Sequence, residues 1–146
     1  MKIAVSSDHA GYELKKEITS YLKEKGFDFQ DFGPLTADPV DYPDQALLVA
    51  KAVASGAFTK GIIICGTGIG ISISANKIKG IRAALCSDVY SARMARAHND
   101  ANVLALGARV VGVGLALAIV EAFLNEAFLG GRHEQRVAKM MALENQ

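Results

Sequence analysis

Cysteine occurs only twice in the 146 residues, at Cys65 and Cys86, and both close apolar runs that read as strands of one sheet. A bridge between them has no support in the sequence, so reduced thiols in a cytoplasmic setting are the simpler expectation. Charge of one sign is missing too. Sixteen Lys and Arg face fifteen Asp and Glu, the net charge is +1, and no long basic run exists; nucleic acid is not expected as a partner. Nor is there a long hydrophobic run. The longest uncharged apolar stretch lies between Arg109 and Glu121, short of the roughly 20 residues that a spanning helix needs, and no membrane partner is expected. Met1-Lys2-Ile3-Ala4-Val5 passes straight into Ser6-Ser7-Asp8-His9, a pattern unlike a signal peptide. Repeats and low-complexity segments are absent as well. What remains, 51% hydrophobic and 21% charged, predicts one globular domain over residues 1–146 with a sizeable core.

The punctuation of the chain alternates strands with helices. Strands are expected at Lys2–Ser7, Phe27–Phe32, the run Gly61–Cys65, Ile81–Cys86 and Val103–Leu106. Helices are expected at Tyr12–Lys25, Pro43–Ser55, Ile71–Lys77, Asp88–Ala97, Leu115–Phe128 and Arg132–Leu143. In the first helix Leu14, Ile18, Tyr21 and Leu22 share a face, with Lys15, Lys16, Lys23 and Lys25 placed largely off it. Ser87 or Asp88 caps the fourth. Such alternation implies right-handed crossovers. The fold class is therefore α/β: a Rossmann-like three-layer sandwich with a parallel sheet of about five strands and a C-terminal helix. Ligands of such sheets bind at the carboxyl ends of the strands.

The most informative stretch is Ile62-Ile63-Ile64-Cys65-Gly66-Thr67-Gly68-Ile69-Gly70. It reads as a buried strand ending in a thiol, then a glycine-rich turn opening a helix. Glycines at alternate positions allow close backbone approach and aim several N–H groups one way. The helix N-terminus adds partial positive charge, so the turn is suited to an anion and should lower the pKa of the thiol. Two familiar phosphate-binding patterns are excluded. The sixth residue from Gly66 is Ile71 and from Gly68 is Ile73, so the dinucleotide fingerprint fails; Ile71-Ser72 after Gly70 is not the Lys-Ser/Thr of a P-loop. An ordinary strand-to-helix turn with an inert cysteine fits the same residues.

Other reactive groups fall at both ends of the sheet. Asp8 and His9 follow the first strand, and Cys65 and Thr67 the third, so all four belong to the ligand edge; a helix-capping Asp8 is the competing reading. His98 and Asn99 end a helix and precede the fifth strand, which places them at the opposite edge. A strand of five residues spans roughly 17 Å, so His98 is out of reach of its own Cys65. Either it caps the helix C-terminus, or the site is shared between two subunits. Arg132 and Arg136, four apart, share a helix face. With His133 beside them they form either a phosphate grip or a solvated basic face. Arg109, after the fifth strand, is a lone candidate of the same kind.

Together these blocks resemble type B ribose-5-phosphate isomerases, a family that includes galactose-6-phosphate and allose-6-phosphate isomerases. The likeness covers essentially the whole chain. It is carried by Ser7-Asp8-His9-Ala10-Gly11, Asp41-Tyr42-Pro43, Cys65 to Gly70, Ala75-Asn76-Lys77, Arg93 to Asn102 with His98-Asn99-Asp100, and Gly130-Gly131-Arg132-His133-Glu134-Gln135-Arg136. The resemblance implies aldose–ketose isomerisation of ribose 5-phosphate and ribulose 5-phosphate through an enediolate, in the pentose phosphate pathway and without metal or organic cofactor. By that likeness Cys65 is the base, and the turn containing Gly66, Gly68 and Gly70 holds the developing oxyanion. Thr67 handles protons on the sugar oxygens, and His98 opens the furanose ring with Asp8 on the ring-oxygen side. Asn99 and Tyr42 contact the sugar; His9, Arg109, Arg132 and Arg136 bind phosphate. A family branch that uses glutamate after the third glycine does not fit, because Ile71 stands there; the thiol branch does. The resemblance also implies a homodimer with shared sites, in some members a tetramer, and Leu115–Phe128 is a candidate dimer face, with core packing as its other role. A six-carbon substrate, or a silent phosphosugar-binding subunit, are the alternatives.

Overall fold

A computed structural model describes all residues, Met1–Gln146. Five strands form one parallel sheet in the order β2-β1-β3-β5-β4: β1 Lys2–Ser7, β2 Asp28–Asp31, β3 Lys60–Cys65, β4 Ala83–Leu85 and β5 Val103–Gly107. Six helices connect or follow them: α1 Tyr12–Glu24, α2 Tyr42–Ala54, α3 Ile69–Asn76, α4 Val89–Ala97, α5 Val113–Asn125 and α6 Arg132–Ala142. This is the α/β sandwich expected from the sequence.

Strand alternation sorts the core into two layers. Ile62 and Ile64 of β3 join one cluster with residues of α1, α4 and α5, whereas Ile63 and Cys65 join the other with α2 and α3. All six residues of β3 are buried, as a central strand covered on both faces must be. The two thiols therefore lie in different layers, Cys86 in the first and Cys65 in the second, and both are free.

The chain leaves β1 toward β2 on one side and returns to place β3 on the other. This reversal is the switch point at which open α/β sheets form a ligand crevice. The carboxyl ends of β1 and β3 meet there, with the Asp8 N–H donating to the Ile64 carbonyl at 3.0 Å.

Several elements depart from expectation. Strand β4 has three residues instead of six, because Arg82 gives its N–H to the Asn102 side chain and Ile81 gives its own to Ile78 rather than to a neighbouring strand. Helix α3 begins at Ile69, two residues early, so Gly70 lies in its first turn and not in the loop. Helix α5 is displaced toward the N-terminus and turns Ala116, Ile119, Val120, Phe123 and Leu124 into the core. Its apolar surface thus belongs mainly to packing. Asp88 caps α4 as expected, its carboxylate accepting the Ser91 N–H at 2.6 Å and the Ser91 hydroxyl at 2.8 Å.

The largest surprise is Lys15, which is 1% exposed. Its position between Leu14 and Ile18 turns it inward, and Nζ finds Asp31 Oδ1 at 2.8 Å and the Pro34 carbonyl at 2.6 Å. Asp31 also accepts the Gly33 N–H at 2.8 Å. One ammonium thereby ties α1, the end of β2 and the following loop. Lys15→Ala should lower the unfolding free energy in urea by about 3 kcal/mol, because it strands a partly buried carboxylate. A loss within the roughly 1 kcal/mol of an exposed ion pair would contradict this reading.

Candidate active site

The carboxyl edge gathers one set of the candidate residues. Cys65 ends β3 with 4% exposure, and its Sγ accepts the N–H of Gly68 at 3.1 Å. That contact requires the turn to fold back sharply, and Gly68 does so with φ of 77° as the residue preceding α3. Glycine tolerates this left-handed backbone at little cost. An N–H held against sulfur stabilises negative charge on it. Thr67 is exposed, and its Oγ1 accepts the Ile69 N–H at 3.2 Å. The Gly66 and Thr67 amides donate to no acceptor in the chain, and Gly70 lies in the first turn of α3, where N–H groups have no intrahelical partner.

The neighbours close round this turn. Gly107, opposite Cys65 in the β5 register, leaves no room for a side chain: a Cβ there would stand 2.5 Å from the Thr67 carbonyl. Arg109 donates its backbone N–H to the Gly66 carbonyl at 2.9 Å, and its exposed guanidinium lies over Gly66. The Tyr42 ring lies on Gly70, where an added Cβ would be 2.6 Å from it. Asp8 is buried and accepts the Gly11 N–H on Oδ1 at 3.0 Å. That bond shapes the turn before α1, but the N-cap of α1 is Gly11 and carries no side-chain hydrogen bond, so Asp8 is not the helix cap of the competing reading. Exposed His9 places Nδ1 3.2 Å from the backbone of Val40, facing the loop before Tyr42.

His98, Asn99, Arg132 and Arg136 form a second set, remote from the first. His98 is the residue following α4, on the side of the sheet where β5 begins at Val103 beside Gly61; Cys65 sits at the far end beside Gly107. The His98 ring stacks on that of His133, with centroids 4.1 Å apart and planes 12° from parallel. His133 is held below the usual histidine range, first by desolvation and then by His98, Arg132 and Arg136. Arg132 and Arg136 are exposed and pair with no carboxylate. The histidine stack was not legible in the sequence, since 35 positions separate its members.

Burial pushes the Cys86 thiol up to about 11, with Asp88 adding to the effect. Below that pH it stays a neutral thiol, and the thiolate is the species that reacts. Iodoacetamide at about pH 8 should therefore leave Cys86 unlabelled in the folded protein and give at most one adduct, at Cys65. Peptide mapping that finds alkylated Cys86 without unfolding would contradict this.

With this geometry in view, likeness to known proteins is informative. The profile of the Ribose/Galactose Isomerase family matches residues 3–140. Ribose-5-phosphate isomerase B of Escherichia coli K12 is 53% identical over 143 residues, covering 98% of this chain and 96% of its own. The solved structure of ribose-5-phosphate isomerase B from Clostridium thermocellum superposes with a TM-score of 0.98 at 57% identity, covering 99% and 98% of the two chains. That of the Mycoplasma genitalium enzyme with bound ribulose 5-phosphate gives 0.96 at 44% identity, covering 99% and 97%. With a matching profile over residues 3–140 and relatives 44–57% identical over nearly the whole chain, the chain belongs to the ribose/galactose isomerase family.

Proposed function

We propose that this chain is a ribose-5-phosphate isomerase, interconverting D-ribose 5-phosphate and D-ribulose 5-phosphate through an enediolate. The observation that carries the reading is the Cys65 sulfur seated on the Gly68 amide at the switch point of the sheet; the names of the relatives supply the substrate. Residues 1–146 act as one isomerase domain. The unbridged thiols suit a reducing, cytoplasmic compartment, and no helix is long and apolar enough to cross a membrane.

The chemistry follows from what each group can do. The Cys65 thiolate removes the proton from C2 of the open-chain aldose, and the charge develops on O1. Preorganised amides of the turn, those of Gly66, Thr67 and Gly70, hold that charge better than water can. The Thr67 hydroxyl, exposed at the rim, passes the proton between O2 and O1. Return of the abstracted proton from Cys65 to C1 completes the ketose, so base and acid are one group. Tyr42 borders the sugar. Asp8 lies on the ring-oxygen side, and His9 and Arg109 supply cationic or hydrogen-bonding groups for phosphate.

Ring opening needs a further acid or base, and His98 is the candidate. It stands at the wrong edge of its own sheet, as do Asn99, Arg132 and Arg136. A symmetric dimer brings one subunit's second set to the other's first, since a two-fold interface pairs the same patches reciprocally. His98 of the partner subunit then opens the furanose, Asn99 of the partner subunit binds a hydroxyl, and the partner's Arg132 and the partner's Arg136 clamp the phosphate.

Cys65→Ala should lower kcat by at least about 10³-fold, in the range expected for loss of a general base, while phosphosugar binding persists. Normal turnover by that variant would remove the thiol from the mechanism. The shared site is tested by mixing. His98→Asn should turn over ribose 5-phosphate poorly, and subunit exchange with equal Cys65→Ala should restore about one-quarter of parental activity, since half the dimers each regain one intact site. No recovery in mixtures shown to exchange would refute sharing. Rates on pentose and hexose phosphates, compared side by side, test the substrate.

A further inference from the structure

Asp100 is the only residue other than glycine with positive φ, at 48°. Asparagine and aspartate tolerate this region better than most, yet it is uncommon for any residue with a Cβ, and something must hold it. Two guanidinium groups do. Arg96 Nη1 donates to Oδ1 at 2.9 Å and also to the Ala101 carbonyl at 2.6 Å. Arg82 Nη2 donates to Oδ2 at 3.3 Å while its Nε donates to the Asp100 carbonyl at 2.9 Å. Both oxygens of the carboxylate and its own carbonyl are thus engaged. Arg96 is buried and Arg82 partly so, and buried Lys60 lies close enough that Arg96 and Asp100 both act on its charge.

Arg82 reaches further. Its Nη1 lies 3.4 Å from Sδ of Met141 in α6, and its backbone N–H is taken by Asn102. One side chain therefore joins the turn after α4 to the helix that carries Arg132, His133 and Arg136. Between these two anchored pieces stand His98 and Asn99, with His98 stacked on His133. The Gly80 N–H to Glu144 contact at 2.8 Å is a second tie holding the end of the chain to the same region.

We infer that Asp100, gripped by Arg82 and Arg96, is a positioning residue that sets His98 and Asn99 against α6 and thereby governs ring opening rather than proton transfer between C1 and C2. The inference rests on the isomerase reading above. It does not make Asp100 a catalytic residue: the carboxylate is spent on two arginines and acts through its neighbours.

The two substrates offer a readout that mere destabilisation would not move. Ribose 5-phosphate is a furanose closed through its C4 hydroxyl and must be opened. In ribulose 5-phosphate the hydroxyl needed for a furanose is phosphorylated, so the ketose is already open. A displaced His98 should then slow turnover from the aldose and spare turnover from the ketose. Two variants test this. Asp100→Asn keeps the tolerance for positive φ and one acceptor but loses the charge. Arg82→Lys keeps the charge of the cluster but cannot bridge Asp100 and Met141.

Initial rates in both directions, with thermal melts alongside, are the measurement. For both variants kcat from ribose 5-phosphate should fall about 10- to 100-fold, the scale of a misplaced catalytic group, while kcat from ribulose 5-phosphate stays within about threefold. Adding Asp100→Asn to His98→Asn should cause no further loss from the aldose. Equal losses in the two directions, or no loss in either, would overturn the inference while leaving the isomerase reading intact. If the parent protein isomerises neither sugar, the isomerase reading falls and the inference with it.

Discussion

Everything at the carboxyl edge depends on how tightly the backbone folds after Cys65. The Gly68 amide can meet the sulfur only because the chain takes a left-handed step there, and the turn is pressed down by β5. Gly107 leaves the Thr67 carbonyl space that no side chain would. Backbone hydrogen bonds from Ala108 to Cys65 and from Arg109 to Gly66, both 2.9 Å, lock the two strand ends together. The same constraint orients the sulfur, leaves the Gly66 and Thr67 amides without an acceptor in the chain and delivers Arg109 over Gly66. Rigidity here has a chemical value, because dipoles already aligned need no reorganisation as charge appears.

The opposite edge is organised by a different force. Its groups include five cations, Lys60, Arg82, Arg96, Arg132 and Arg136, and the Asp100 carboxylate bridges two of them, Arg82 and Arg96. Of these, Arg132 and Arg136 are exposed and without a carboxylate partner, the pair that the proposed function assigns to phosphate. The buried member of the histidine pair is driven toward its neutral form first by desolvation and then by His98, Arg132 and Arg136. An arrangement of this sort makes chemical sense when an anion from elsewhere completes it.

Much of the fold was legible in residue pattern. β-Branched runs bounded by glycine marked the central strands, Asp88 announced its helix, and the order of elements fixed which reactive groups share an edge. The failures have physical causes. Lysines usually lie outside, and no local signal shows that Asp31, sixteen positions on, waits to neutralise Lys15. Glycine disfavours helix, so the sequence reads Gly70 as loop, yet it lies in the first turn of α3 with the Tyr42 ring in the space a side chain would need. The length of β4 depended on Arg82 and Asn102 finding each other across twenty residues. Of the candidate site, the residues adjoining strand ends could be read locally. The brace around Asp100 could not, since it is made of long side chains meeting in three dimensions.

The two outer strands have a bearing on solubility. A parallel sheet of this kind ends in two exposed rows of backbone groups, each a template on which another sheet could grow. Here one border is β2, Asp28-Phe29-Gln30-Asp31, whose outward positions are acidic or amide-bearing, and the other is β4, only three residues long. The exposed Asp28 would confront its copy if two β2 strands met in register, and β4 is brief, with the Ala83 N–H and carbonyl both taken by the Asn76 side chain. Copies of this protein are thereby steered away from stacking edge to edge into fibrils, which leaves association through helix and loop surfaces as the open route.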